Sequence, residues 1–213
     1  MRHFNALGRA ARAIVICLFV FAPCSLHAAG RTIVALGDSL TAGYGLPQSD
    51  AFVTRLGAAL ERAGVEARLV NAGVSGDTSA GGLARIDWLL AEKPDLVMVE
   101  LGANDALRGL DPEETRRNLD AIIARIKEAG ARVFLVGMRA PPNMGREYAA
   151  EFDRIFPDLA KQHKVPLYPF FLDGVVADPA LNQADGIHPN AKGVSVIVER
   201  ILPTLLRALG EPG

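Results

Sequence analysis

The sequence predicts an α/β fold, a three-layer α/β/α sandwich in which helices cover both faces of a flavodoxin-like parallel five-stranded sheet. Two observations indicate this fold. Short apolar runs alternate with longer amphipathic stretches, and the apolar runs are rich in Val, Ile and Leu. Such runs are typical of strands in a parallel sheet that is buried on both faces. Right-handed crossover connections then favour the strand order 2-1-3-4-5.

The predicted strands and helices alternate along the chain after the N-terminal segment. The strands are predicted at residues 32–36, 68–71, 96–101, 132–137 and 165–168. The helices are predicted at residues 51–63, 82–91, 112–129, 147–163 and 191–209. The third helix has the clearest ends, because Asp111 can cap it, Pro112 suits its first position and Gly130 can end it.

The N-terminal residues 1–28 are predicted to be a secretory signal peptide that precedes the folded domain. Arginines come before an apolar run at residues 13–22, and the small residues Ala28 and Ala29 follow it. This order is typical of an export signal, and the run is shorter than the roughly 20 residues that a membrane span needs. We therefore expect a periplasmic or secreted protein that keeps no stable membrane span after signal removal.

Both cysteines, Cys17 and Cys24, lie inside this predicted signal peptide. The mature protein would then have no thiol for a disulfide, a metal site or a nucleophile. A lipid anchor on Cys24 is disfavoured, because Pro23 precedes it where lipoprotein signals carry a small residue. The cleavage bond stays open, since cleavage after Ala28 would leave Leu26 where a small residue is more typical.

Composition narrows the expected partners of the protein. The chain has 213 residues, a formal net charge of -1 and 50% hydrophobic residues, which suits one domain with one core. No cluster of Lys and Arg indicates a nucleic-acid surface, and no Gly-rich loop of the Walker or dinucleotide form indicates a nucleotide site. We expect a monomer that acts on a small molecule.

Four loops with unusual residues are predicted at the carboxyl ends of the strands, where ligands bind in such sheets. The first three loops follow the first three strands, and the fourth precedes the last helix. They contain Gly37-Asp38-Ser39-Leu40, Asn71-Ala72-Gly73, Gly102-Ala103-Asn104-Asp105 and Asp185-Gly186-Ile187-His188-Pro189. All four loops should meet at one edge of the sheet.

These loops supply every group that acyl transfer requires: a nucleophile, a base, a group that orients the base, and oxyanion donors. Ser39 can present its hydroxyl, and His188 can take the proton because imidazole titrates near neutral pH. Asp185 can hold the other ring nitrogen. The backbone N–H groups of Ser39 and Gly73 and the side-chain amide of Asn104 can face the oxyanion. Each residue alone has an ordinary structural explanation, such as a cap or a turn, but their convergence favours catalysis.

The four loops resemble the four sequence blocks of the GDSL, or SGNH, hydrolases, across essentially the whole mature chain. Segments 74–79, 99–102 and 107–110 resemble the bacterial periplasmic branch that contains acyl-CoA thioesterases, lysophospholipases and arylesterases. The resemblance implies a single SGNH hydrolase domain over residues 30–210. It also implies the triad and oxyanion roles given above, with no metal and no cofactor. Family members commonly carry Gly where this chain has Ala103.

Three other interpretations stay open at this point. Asp38 and Asp105 could act as the paired carboxylates of a glycosidase. We expect instead that Asp38 bonds local backbone amides and that Asp105 braces the neighbouring loop. An α/β-hydrolase would share the order of the triad, but its G-x-S-x-G elbow is absent from the sequence. A noncatalytic flavodoxin-like protein that binds a small ligand is the remaining alternative, which a fluorophosphonate probe would distinguish.

Substrate choice is predicted from residues beside the motifs. An apolar acyl groove is predicted from Tyr44, Leu107, Leu110, Ile187 and Pro189. The Pro- and Gly-rich segment 138–146 either contacts the substrate as a lid or simply leads into the next helix. We expect broad specificity for short to medium acyl chains, with aryl esters, acyl-CoA thioesters and lysophospholipids as candidate substrates.

Overall fold

The computed structural model describes residues 30–211, so the predicted signal peptide lies outside the described residues. Five parallel strands form one sheet in the order β2-β1-β3-β4-β5, which confirms the predicted fold class and strand order. The strands are β1 Arg31–Gly37, β2 Ala67–Gly73, β3 Leu96–Glu100, β4 Arg132–Val136 and β5 Leu167–Tyr168.

Helices pack against this sheet in two groups. One group contains α3, α5 and α7, and the other contains α2 and α8, so the sheet lies between two helical layers. The helices are α1 Ser39–Ala42, α2 Phe52–Arg62, α3 Ser79–Leu90, α4 Ala103–Leu107, α5 Pro112–Glu128, α6 Arg146–Asp153, α7 Ile155–His163 and α8 Ala191–Leu209. A short 3₁₀ turn at Gln48–Asp50 lies between α1 and α2, and another at Pro142–Met144 lies between β4 and α6. No helix within residues 30–211 is both long enough and apolar enough to span a bilayer.

The predicted helix at residues 147–163 is wrong as a single element. The structure has two helices there, with α6 ending at Asp153 and α7 beginning at Ile155. Pro157 explains the break, because proline has no N–H to donate to Asp153 and its ring would clash with that carbonyl. The short helices α1 and α4 were not predicted as elements, since four or five residues show no helical periodicity.

The strand ends bring the site loops together. Gly37, the last residue of β1, pairs with Gly73 of β2 and with Glu100 of β3. The chains that follow these three strands therefore leave the sheet at the same level. Gly37 must lack a side chain, because a Cβ there would overlap Thr41 and Glu100. Beneath this edge, every residue of β3 is buried, as expected for a central parallel strand.

Candidate active site

Three side chains form a hydrogen-bonded chain at the carboxyl edge of the sheet. His188 Nε2 lies 2.9 Å from Ser39 Oγ, and His188 Nδ1 lies 2.7 Å from Asp185 Oδ2. When Nδ1 carries the proton and donates it to the carboxylate, Nε2 is free to accept the serine proton. The structure thus brings together the three residues that the sequence predicts as nucleophile, base and orienting group.

Ser39 is the first residue of α1, and only Asp38 separates it from the end of β1. Asp38 caps this helix, because its Oδ1 accepts a hydrogen bond from the Leu40 N–H at 2.9 Å. Gly43 ends the helix in the left-handed conformation, with φ at 82°. The first N–H groups of a helix have no partner within it, so the Ser39 N–H is available to a substrate oxygen.

The loop that carries His188 is shaped by Asp185. Asp185 Oδ1 accepts hydrogen bonds from the N–H groups of Ile187 at 2.9 Å and of His188 at 3.0 Å. Gly186 permits the tight turn between them with φ at 70°. The two backbone bonds, first that of His188 and then that of Ile187, together with the His188 ring, lower the pKa of Asp185 to about 2. Asp185 is therefore ionised at neutral pH and can stabilise a protonated His188.

Gln183 holds the histidine loop against the loop that follows α1. Its backbone N–H donates to the His188 carbonyl at 2.8 Å, and its Nε2 donates to the carbonyls of Tyr44 at 2.8 Å and Pro189 at 3.0 Å. The Tyr44 ring lies over the His188 ring, with 4.6 Å between the centroids. Gln183 was not predicted from the sequence, because no motif distinguishes it from any other loop glutamine.

The Asn104 amide lies next to the nucleophile turn. Its Nδ2 donates to Asp38 Oδ2 at 3.0 Å and to the Asp77 carbonyl at 2.9 Å. Gly102 lets the chain turn sharply from β3 into α4, with φ at 113°. Both amide protons already have acceptors, so a substrate oxygen must share or replace one of these bonds.

The geometry does not support Gly73 as an oxyanion donor. Its N–H donates to Asn71 Oδ1 at 2.9 Å, within its own loop. A Cβ at this position would overlap Ala42 N and approach the Asp38 carbonyl, so Gly73 is needed where β2 passes beneath α1. Gly76 is a better candidate: its φ is 81°, and its N–H has no hydrogen-bond partner within residues 30–211. Both glycines follow the second strand, and the sequence alone does not show which of their N–H groups is free.

Asp38 and Glu100 are two buried carboxyl groups close to the turn that carries Ser39. Glu100 Oε2 accepts hydrogen bonds from Thr41 Oγ1 at 2.6 Å and from the Asp38 N–H at 3.4 Å. Burial raises the pKa of Asp38, and burial followed by the charge of Asp38 raises the pKa of Glu100 well above its ordinary value. The cost of burying these charges favours holding a proton at this position.

The two aspartates considered for glycosidase chemistry are not open to a substrate. Asp38 is 0% exposed and Asp105 is 1% exposed. Asp105 accepts hydrogen bonds from the Ser79 N–H at 2.9 Å and the Ser79 hydroxyl at 2.5 Å, and from Thr115 Oγ1 at 3.2 Å. Both carboxyl groups therefore serve the structure of the loops, as expected from the sequence.

The predicted groove residues differ in exposure. Tyr44, Leu107 and Ile187 have side chains that are about half exposed. Leu110 is partly buried, and Pro189 is buried behind His188, where it lines an apolar crevice of about 10 Å³. This crevice is too small for an acyl chain, so a chain bound near Ser39 would lie along the surface. Four larger cavities within residues 30–211 contain no triad residue.

The segment at residues 138–146 is partly ordered by neighbouring elements. Met138 is buried, and the Ala140 N–H donates to Asp153 Oδ1 at 2.8 Å. The end of the Met144 side chain lies beside Gly109, just after α4. Contact with the chain that follows Asn104 is compatible with the lid interpretation, which stays a prediction.

Within residues 30–211, no group of three His, Cys, Asp or Glu side chains could hold a metal ion.

Comparison with known proteins gives consistent matches. Residues 35–196 match the GDSL-like Lipase/Acylhydrolase family. The chain is 45% identical to Esterase TesA of Pseudomonas aeruginosa, over 84% of this chain and 90% of that protein. It is also 45% identical to Thioesterase 1/protease 1/lysophospholipase L1 of Escherichia coli K12, over 76% of this chain and 77% of that protein. A crystal structure of TesA superimposes with a TM-score of 0.80 at 44% identity, covering 84% of this chain and 99% of that chain.

Proposed function

Because the chain belongs to the GDSL-like lipase/acylhydrolase family and is a hydrolase that acts on ester bonds, we propose that it works through an acyl-enzyme on Ser39. One observation carries this proposal: His188 Nε2 lies 2.9 Å from Ser39 Oγ while its other nitrogen contacts an ionised Asp185. This geometry supports proton transfer from the hydroxyl at the moment of attack.

The proposed reaction has two acyl transfers. In the first, Ser39 Oγ attacks the carbonyl carbon while His188 takes the hydroxyl proton. The tetrahedral intermediate then collapses, and His188 gives this proton to the departing alcohol or thiol. In the second, water attacks the acyl-enzyme, His188 takes a proton from it, and the acid leaves as Ser39 recovers its proton. Asp185 stays ionised throughout and stabilises the imidazolium.

Oxyanion stabilisation is proposed to come from three donors. The Ser39 N–H and the Asn104 amide keep the roles expected from the sequence, and the Gly76 N–H takes the role first expected of Gly73. Two observations support Gly76 in place of Gly73. The Gly76 N–H is free within the described part of the chain, and the next residue, Asp77, accepts a hydrogen bond from the Asn104 amide through its carbonyl. Removing one such donor typically lowers kcat by about 10²- to 10³-fold.

Broad specificity for acyl esters and thioesters is proposed for this open site. The crevice behind Ser39 and His188 holds only about 10 Å³, so little of an acyl chain can be enclosed there. Exposed apolar side chains at Tyr44, Leu107 and Ile187 offer contact area without a closed pocket. Aryl esters, acyl-CoA thioesters and lysophospholipids with short to medium chains are the proposed substrates. Rates on a series of p-nitrophenyl esters test this breadth. Activity on only one long-chain ester of the series would contradict it.

Export is proposed from the N-terminal signal pattern. Removal of residues 1–28 would give a monomeric periplasmic or secreted enzyme that carries residues 30–210 as its single domain. N-terminal sequencing of the protein recovered from the periplasm tests the cleavage, and size-exclusion chromatography tests the monomer. Recovery of an uncleaved chain in the cytoplasm would contradict export.

The decisive experiment compares wild type, Ser39→Ala and Ser49→Ala on p-nitrophenyl butyrate, with folding matched by circular dichroism. Ser49 is exposed, which makes it a suitable control. We expect Ser39→Ala to lose several orders of magnitude in kcat, and Ser49→Ala and added EDTA to have no effect. Fluorophosphonate labelling should require Ser39. Retained activity and labelling in Ser39→Ala would refute the mechanism.

A further inference from the structure

Arg85 joins three separate parts of the site edge through one guanidinium group. It lies on α3, where its Nε donates to Asp77 Oδ2 at 2.8 Å. Its Nη1 donates to the Ala72 carbonyl at 2.7 Å, and its Nη2 donates to the Gly37 carbonyl at 3.0 Å. No part of the proposed reaction uses this side chain directly.

Two of these bonds hold the loop between β2 and α3, residues 74–78, at both of its ends. The Ala72 carbonyl belongs to the peptide that leads into the last residue of β2, and Asp77 lies just before α3. The third bond ties this loop to the end of β1, because the Gly37 carbonyl also accepts a hydrogen bond from the Val74 N–H at 3.0 Å. The ends of β1 and β2 and the beginning of α3 therefore share one anchor.

The anchored loop carries one of the proposed oxyanion donors, the Gly76 N–H, and contacts a second, the Asn104 amide. Gly76 lies between the two anchored points, and the carbonyl of Asp77 accepts the Asn104 amide at 2.9 Å. Gly37 is two residues before Ser39. We propose, resting on the catalytic role assigned to Ser39 above, that Arg85 is a positioning residue that sets the oxyanion donors relative to the nucleophile.

Arginine is suited to this work because its planar group presents several donors in a fixed arrangement. The three acceptors at Asp77, Ala72 and Gly37 each take a different nitrogen. Only 23% of the Arg85 side chain and 11% of the Asp77 side chain are exposed, so water competes weakly for these bonds. A lysine could keep the contact with Asp77, but its single ammonium group could not reach all three acceptors in this geometry.

The test compares Arg85→Lys with Arg125→Lys, a matched change on a neighbouring helix. Arg125 lies on α5 and pairs with Asp87 at 2.9 Å, away from the site loops. We expect Arg85→Lys to lower kcat on p-nitrophenyl butyrate by about 10- to 100-fold, because small displacements of catalytic groups are costly. KM should change by less than about threefold, and Arg125→Lys should match wild type.

Inhibition by n-butylboronic acid separates positioning from a loss of folded protein. The acid forms a tetrahedral adduct on an activated serine, whose oxygen occupies the position of the oxyanion. If Arg85 positions the donors, the Ki of Arg85→Lys rises in proportion to its loss of kcat/KM. If the variant is merely partly unfolded, its kcat falls but the Ki of the folded fraction stays at the wild-type value, which would overturn the inference.

A milder variant keeps the test decisive if Arg85→Lys does not fold. Asp77→Asn removes the ion pair but leaves both carbonyl acceptors of Arg85, so kcat should fall by roughly threefold to tenfold. If Arg85→Lys folds and has wild-type kcat, the positioning role is wrong but the proposed function still stands. If only Asp77→Asn folds, wild-type kcat in that variant has the same meaning. A wild type that hydrolyses no ester, or an active Ser39→Ala, would overturn the proposed function together with this inference.

Discussion

Replacing Asp185 by Asn should inactivate the enzyme by changing the proton position on His188. Asp185 Oδ1 accepts two backbone N–H groups, those of Ile187 and His188. The Asn oxygen must stay there, because the NH2 group cannot accept these bonds. The NH2 group then faces His188 Nδ1, which lies 2.7 Å from the present Oδ2. Nδ1 must become the acceptor, so the proton moves to Nε2.

A protonated Nε2 cannot take the proton of Ser39, although it still lies beside the hydroxyl. The corresponding change in a Ser-His-Asp triad lowers kcat by about 10⁴-fold, and we expect a similar loss here. Stability should be nearly unchanged, because both backbone bonds to residue 185 survive. Asp185→Ala loses those bonds as well and should lower the free energy of unfolding by about 1 kcal/mol, since water can satisfy the exposed N–H groups.

Two measurements check this prediction. Initial rates on p-nitrophenyl butyrate give kcat, and ¹⁵N NMR of histidine-labelled protein identifies the protonated ring nitrogen. His163, whose Nε2 lies 2.6 Å from Asp120, provides an internal control that should not change. The proposed role of Asp185 would be refuted if Asp185→Asn kept more than about a tenth of wild-type kcat, or if His188 in that variant kept its proton on Nδ1.

Two further changes probe the surroundings of the triad. Asn104→Ala removes a proposed oxyanion donor and should lower kcat by about 10²- to 10³-fold, so an unchanged kcat would contradict this role. The same change should lower the free energy of unfolding by about 1–3 kcal/mol, because Asp38 Oδ2 and the Asp77 carbonyl lose a donor. Burial raises the pKa of Glu100, so wild-type stability should fall as pH rises from the ordinary value of 4.5, and Glu100→Gln should flatten this fall. Urea unfolding at several pH values tests this, with exposed Glu128→Gln as control; parallel curves for wild type and Glu100→Gln would contradict it.

Sequence patterns predicted the larger elements well and the connections less well. Apolar strands such as β3 are buried throughout, so their composition alone identifies them. Prolines show where local information is insufficient. Pro157 interrupts the helical segment that contains it, whereas α8 continues through Pro203. Packing decides whether a helix is broken or tolerates the lost hydrogen bond.

The candidate site shows the same division between local and tertiary information. Motif residues such as Ser39 and His188 were identified because their chemistry is distinctive. Gln183 and Arg85 were missed, because each acts only through carbonyl groups that the fold brings to it. The geometry disfavours the Gly73 prediction for a related reason, since pairing of β2 with β1 places that glycine under α1.

The sequence by itself predicted the fold class, the strand order of the sheet and a set of residues suited to acyl transfer. These depend on composition, local spacing and the tendency of loops to gather at the carboxyl ends of parallel strands. Only the tertiary structure decided which donors are free and how they are held. Ser39 and His188 are separated by 149 positions, and their contact of 2.9 Å depends on how β1 and the loop before α8 are packed. Hydrogen bonds tolerate only small errors in distance and angle, so such details are set by packing between distant segments.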